Sequence, residues 1–246
     1  MEQTLTVTSP SRWTPETLHE VSDSFEGRPA REVLQWTFDT FGSEAVISTG
    51  FGPSGVALLH MTAQVHPAVR PFYLDTDLLF PETYELRDKL EKRLGITFDR
   101  VHSGVSLEEQ EQEHGAALWE RNPDRCCFIR KIEPMRRHLS DKPAWVTAIR
   151  RDQTAHRATA PLVGWDFANG LVKVNPLAGW TEREVWRYIF DHDLPYNPLH
   201  DQNYPSIGCI PCTRAVQPGE DARAGRWSGR SKTECGIHLQ PLEKVA

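Results

Sequence analysis

Short β-rich runs alternate with helical patterns along this chain, and that alternation restricts the fold more than any other feature. Ala45-Val46-Ile47-Ser48-Thr49 and Phe72-Tyr73-Leu74 read as buried strands. Residues 98–102, 145–149 and 171–174 read the same way. Between them lie runs with helical spacing. Val33, Leu34, Trp36, Phe38 and Phe41 share one broad apolar face, closed by Gly42. Residues 56–65 form a second run. Pro81 suits the first turn of a third, which reaches Leu94 and stops at Gly95. Residues 107–119 and 127–139 are also predicted to be helical, and Thr181 with Glu184 makes a capping box ahead of residues 185–190. The expected fold is α/β, a mostly parallel sheet with helices on both faces. Ligands bind such sheets at the carboxyl ends of strands, here residues 48–55, 75–81 and 150–157.

The expected organisation is an N-terminal segment over residues 1–28, one main domain over residues 29–218, and a tail over residues 219–246. Five prolines from Pro195 to Pro218 break up helices. The stretch that follows is rich in Gly, Arg and Ser, which predicts a mobile arm. Net charge is −6, so attachment to a nucleic acid polymer is not expected. No apolar run approaches a membrane span and no export signal is visible, so a cytoplasmic protein is expected. The oligomeric state is not fixed by the sequence; a homo-oligomer is compatible with it. Five cysteines without an export signal favour metal binding or catalysis over a disulfide framework.

Four of those cysteines form two pairs. Cys126 and Cys127 are adjacent, and Cys209 and Cys212 form a C-x-x-C. Four thiolates suit either tetrahedral zinc or a [4Fe–4S] cluster. Adjacent ligands are hard to aim at one small ion and easier to place on a larger cluster, which favours the cluster. The bland alternative is that the first pair only packs. Lys131 lies one helical turn beyond Cys127 and can face such a centre, or can be a surface lysine.

The segment Ser48 to Gly55 follows a strand and opens a helix. Its Gly50, Gly52 and Ser54 suit an anion cradle, although an ordinary Gly-rich turn has the same composition. It lacks the Gly-Lys-Ser/Thr ending of a Walker loop. Asp75 closes a strand, placed to bond a ribose or adenine edge or to cap a helix. Arg150 and Arg151 follow another strand and can grip phosphate or sulfate oxygens, or form a solvated ion pair. Arg223, Arg226 and Arg230 add positive charge before the fifth cysteine, Cys235. A thiol attacks as thiolate, which Arg230, Lys232 and His238 would favour and Glu234 would oppose. The plain alternative is a free surface cysteine.

Taken together, these segments resemble the phosphoadenylyl/adenylyl sulfate reductases. The matching pieces include Ser48 to Gly55, Leu74-Asp75-Thr76, Cys126-Cys127 and Ile149-Arg150-Arg151-Asp152-Gln153. They continue with Asn175-Pro176-Leu177, Tyr204 to Cys209, and Lys232-Thr233-Glu234-Cys235-Gly236-Ile237-His238. The resemblance implies an adenine nucleotide alpha hydrolase-like fold and a nucleophilic Cys235. It implies thioredoxin-dependent reduction of adenylyl sulfate (APS) to sulfite and AMP through an S-sulfocysteine, with thioredoxin or a similar dithiol as partner. Members with both cysteine pairs carry a [4Fe–4S] cluster and generally prefer APS; reduction of 3′-phosphoadenylyl sulfate (PAPS), or of both, is the nearest alternative. More distant rivals are an ATP pyrophosphatase of the same fold and a zinc or cluster sensor. The chain departs from the family at Asp77, where Gly is frequent, and at Thr49-Gly50-Phe51-Gly52, where a Ser-Gly-Gly type is commoner.

Overall fold

A computed structural model describes residues 13–230, 232 and 234–238. Helix α1 (Pro15–Phe25) starts on the Thr14 cap with Pro in its first turn and buries only Leu18, Ser22 and Phe25. Helix α2 (Ala30–Phe41) ends at Gly42, whose φ is +58°. Strand β1 (Ala45–Thr49), helix α3 (Pro53–Val65), strand β2 (Phe72–Asp75), helix α4 (Pro81–Leu94) and strand β3 (Asp99–His102) follow. Gly95 stops α4 in the left-handed region, which glycine enters without steric cost.

Helices α5 (Leu107–His114), α6 (Leu118–Arg121) and α7 (Pro123–Cys127) come next. A π-helical turn over Phe128–Ile132 joins α7 to α8 (Glu133–Leu139). Strands β4 (Ala144–Val146), β5 (Val163–Asp166) and β6 (Leu171–Val174) and helix α9 (Glu182–Asp191) complete the regular elements. The Thr181–Glu184 capping box at the start of α9 is formed.

The sheet order is β3-β2-β1-β4-β6-β5, and every pairing is parallel except β5 with β6. The strand order reverses at β1, between β2 and β4. A crevice opens there at the carboxyl ends of the strands. One face carries the larger core, into which α3 buries Val56, Ala57, Leu58 and Leu59. The other face buries Phe72, Met135, Leu139, Trp145 and Leu171, and Ile237 of the tail packs onto that cluster.

The α/β class, the mostly parallel sheet and the helices on both faces are as expected. Three local expectations change. Residues 107–119 do not form one helix, because Gly115 at φ +78° breaks it. Residues 127–139 carry the π turn. Strand β5 was not anticipated; it forms a hairpin with β6 around Asp166, whose carboxylate accepts the amides of Ala168 (3.0 Å) and Asn169 (3.1 Å). Residues 219–230 of the arm lie against the domain: Arg214 donates its amide N–H to the Gly225 carbonyl (3.0 Å), and the buried Trp227 donates its own to the Cys212 carbonyl (3.1 Å). No helix among the described residues is long and apolar enough to cross a membrane.

Candidate active site

A cleft of about 380 Å³ lies at the crevice. Ser48, Gly50, Gly52 and Ser54 line it. Its turn is set by Phe51, a non-glycine residue at φ +59°. Burial of the Phe51 ring against Tyr73 (5.4 Å) and Phe98 (5.1 Å) holds that backbone, and its amide donates to Thr49 Oγ1 (3.0 Å). A side chain at Gly55 would press on the same hydroxyl at 2.8 Å, so the helix can approach only as glycine.

Arg150 lines the cleft. Its guanidinium bonds Ser54 Oγ and Asp152 Oδ1 (2.9 Å), tying the end of β4 to the first turn of α3. Two residues expected to contact substrate, Arg151 and Asp75, do not line the cleft. Arg151 leaves on the opposite side of the chain, where it pairs with Glu26 (3.0 Å) and donates to the Ala160 carbonyl (2.8 Å). Asp75 is outside the cleft lining. Its carboxylate is already occupied by Arg100 (2.6 Å), Tyr84 (2.7 Å) and the Asp77 amide (2.9 Å). Burial works against its charge, but those donors hold the carboxyl below its ordinary value.

The opposite wall is cationic and carries the tail. Lys131, Arg157, Arg223 and Arg226 line it together with Cys235 and His238. Arg226 reaches it across Gly208, where any side chain would overlap the guanidinium. Arg230 is exposed and does not line the cleft. The tail is seated by three contacts. Glu234, buried, accepts from Arg157 (3.0 Å), Arg223 (3.3 Å) and Thr154 (3.4 Å), so its charge is compensated beside Cys235. Lys232 pairs with Asp124. His238 stacks on Trp145 with centroids 5.3 Å apart. Burial, then Lys173, Arg157 and Arg223, hold the His238 imidazole well below its ordinary pKa. Gly236 lies at φ +91° with Ile132 directly against it. Arg157, Trp145 and Trp227 were not singled out from sequence. Arg157 sits in a loop without periodicity, Trp145 reads as part of a strand, and Trp227 falls in the Gly-, Arg- and Ser-rich arm.

All four paired cysteines line a second, small void of about 10 Å³ that shares Lys131, Arg226 and Trp227 with the cleft. The C-x-x-C is brought there by the Ile210 amide bonding Leu78 (2.8 Å) and by Thr76 Oγ1 beside Cys209 Sγ (3.3 Å). Burial first, then neighbouring sulfurs, pushes the Cys126 thiol up to about 12. Burial pushes Cys127 up to about 11, against the pull of Lys131 and Lys232. Lys131 is raised: burial opposes its charge, but Cys209, Cys235 and Cys127 outweigh that. Arg130, 1% exposed, donates to Gln110 (2.8 Å), the Thr76 carbonyl (3.2 Å) and Asp77 (2.9 Å). Asp77 itself stands at φ +58°, which accounts for the expectation of glycine there.

Among the described residues, no group of three or more His, Cys, Asp or Glu is arranged around a single metal ion. Four soft sulfur donors around one void, ringed by cations, suit by their chemistry a larger iron–sulfur centre with a net negative charge.

Fold and site together define a class: an α/β protein with a cleft at a topological switch point, lined by a cationic wall and a thiol. The family description "Phosphoadenosine phosphosulfate reductase domain" matches residues 44–215. A protein named adenosine 5′-phosphosulfate reductase from Salinibacter ruber is 51% identical over 96% of this chain and 94% of its own length. One of the same name from Rhodococcus opacus is 46% identical over 87% of this chain and 90% of its own. A solved phosphoadenylyl-sulfate (PAPS) reductase from Candida auris, a phosphate complex, superposes with TM-score 0.72 at 29% identity, covering 83% of this chain and 98% of that one. The chain belongs to the phosphoadenosine phosphosulfate reductase family, a family of oxidoreductases.

Proposed function

We propose that this enzyme reduces adenylyl sulfate to sulfite and AMP, with Cys235 as nucleophile. The observation that carries the reading is the single cleft that joins the Ser48–Gly55 loop, a wall of Lys131, Arg157, Arg223 and Arg226, and Cys235. The anionic phosphosulfate suits that wall. The Cys235 thiolate attacks the sulfate sulfur; an S–S bond forms, the bond from sulfur to the bridging oxygen breaks, and AMP leaves. Arg150, Arg226 and the loop amides stabilise the departing phosphate. The tail then opens, and a dithiol protein such as thioredoxin attacks Cys235 Sγ. Sulfite leaves with its electron pair, and the second thiol of the partner closes a disulfide, so that the dithiol supplies both electrons.

Cys126, Cys127, Cys209 and Cys212 would hold a [4Fe–4S] cluster, with Lys131 beside it. Bound there, such a cluster supplies a fixed negative centre and electron-carrying capacity behind the cationic wall. The reading further places the protein in the cytoplasm and in sulfate assimilation.

The test is Cys235→Ser incubated with adenylyl [³⁵S]sulfate. The wild-type chain retains covalent label before the dithiol is added and the variant retains none. Label persisting on the variant would remove Cys235 from the chemistry. The 29% identical solved PAPS reductase favours a second reading, in which the cleft accepts the 3′-phosphorylated nucleotide.

A further inference from the structure

A charged side chain sits where the second face of the sheet should be apolar. Lys173 lies on β6, on the same face as Leu171 and directly opposite Trp145 of β4. It is 6% exposed. Its ammonium stands 4.6 Å from the centroid of the Trp145 ring and 3.3 Å from Asp166 Oδ2, which is also buried. Buried lysines are rare and costly unless they do something the fold needs. A sheet face this small gains nothing from a buried ion pair that an apolar pair would not supply.

Trp145 is the junction. Its Nε1–H donates to Ser48 Oγ (2.8 Å) at the start of the loop, its ring takes the ammonium, and His238 of the tail stacks on it with the rings 16° from parallel. Ile237 packs on the same cluster. We propose that Lys173 is a positioning residue: its ammonium, held by Asp166 over the indole of Trp145, fixes the platform on which His238 stacks, and so seats the segment that carries Cys235. The inference rests on the proposed role of Cys235.

The charges around His238 agree. Lys173 faces it from β6, Arg157 from the loop after β4, and Arg223 from the first part of the tail. Glu234 of the tail itself takes both arginines, whereas among the described residues Lys173 pairs with Asp166. Burial first, and then these cations, keep the imidazole neutral, and a neutral ring is the form that stacks on an indole beside an ammonium.

The test needs no turnover, so its failure is distinct from failure of the proposed reaction. The double variant Lys173→Met with Asp166→Asn removes both charges and keeps the volumes. In the full chain, alkylation of Cys235 by iodoacetamide, followed on its peptide by mass spectrometry, should quicken about tenfold. Lys173→Arg should restore the wild-type rate, which a merely stabilising ion pair has no reason to control at a distant thiol. His238→Leu should quicken alkylation equally in an otherwise unaltered chain. Adding it to the double variant should bring no further change. A folded double variant that alkylates at the wild-type rate overturns the proposal. If the double variant does not fold, a wild-type rate in His238→Leu overturns it instead.

Discussion

Replacing Glu234 by Gln isolates the contact that holds the tail closed. The carboxylate is 8% exposed and takes charged donors from Arg157 (3.0 Å) and Arg223 (3.3 Å), with Thr154 Oγ1 at 3.4 Å. Hydrogen bonds to charged groups contribute about 1.5–3 kcal/mol each in such settings. Gln keeps one acceptor oxygen and loses the charge, so the docked tail loses about 2 kcal/mol net. Because each 1.4 kcal/mol is a factor of ten, the open population rises roughly 30-fold. Trypsin reads that population directly when opening is fast relative to cleavage. Release of the peptide beyond Arg230 should therefore quicken roughly 30-fold while the rest of the fold melts unchanged. A rise of less than about threefold at equal Tm would refute the arithmetic and the latch.

Three other outcomes follow from the geometry. Arg151→Ala removes a half-exposed pair with Glu26, so it should cost less than about 1 kcal/mol and leave kcat and KM unchanged; a raised KM would restore Arg151 to the site. Each of Cys126→Ala, Cys127→Ala, Cys209→Ala and Cys212→Ala should lose iron from anaerobically purified protein, measured by elemental analysis and the visible band; a variant with full iron would strike that residue from the ligand set. Tail seating should weaken in acid: the folded imidazole of His238 binds its proton less readily than the free tail's, near pH 6.5, so docking is full above about 6.5 and is lost progressively as pH falls towards the folded value. Cys235 alkylation, corrected for thiolate fraction, should rise as pH drops from 7 to about 5.5, and a flat corrected profile would count against a neutral stacked His238.

Periodicity carried the sheet and its major helices, because β1, β2, β4 and β6 are short, mainly apolar runs flanked by turn formers. It failed where burial is sparse or local geometry intervenes. Helix α1 buries three residues in a polar run, so its pattern is faint. Strand β5 is Val-Gly-Trp-Asp, and its place depends on the Asp166 turn and on Ser22 Oγ accepting the Leu162 amide (3.1 Å) from another element. In the candidate site, cysteine spacing and the loop were legible because few other roles demand those residues. Arg151 was misplaced because adjacent side chains after a strand diverge, and sequence does not say which one turns inward. Asp75 was misplaced because its partners, Arg100 and Tyr84, lie 25 and 9 residues away. Lys173 and Trp145 were invisible as a pair, since only strand register sets them opposite each other.

The cleft is proposed to turn over a sulfonucleotide through Cys235. Sulfite release by the anaerobically purified chain with reduced thioredoxin, run side by side on adenylyl sulfate and its 3′-phosphorylated form, tests it most directly. Rapid sulfite release is expected from adenylyl sulfate, little from the other, and none from Cys235→Ser. Equal release from both nucleotides would contradict the substrate assignment. Release from neither would contradict the reaction itself.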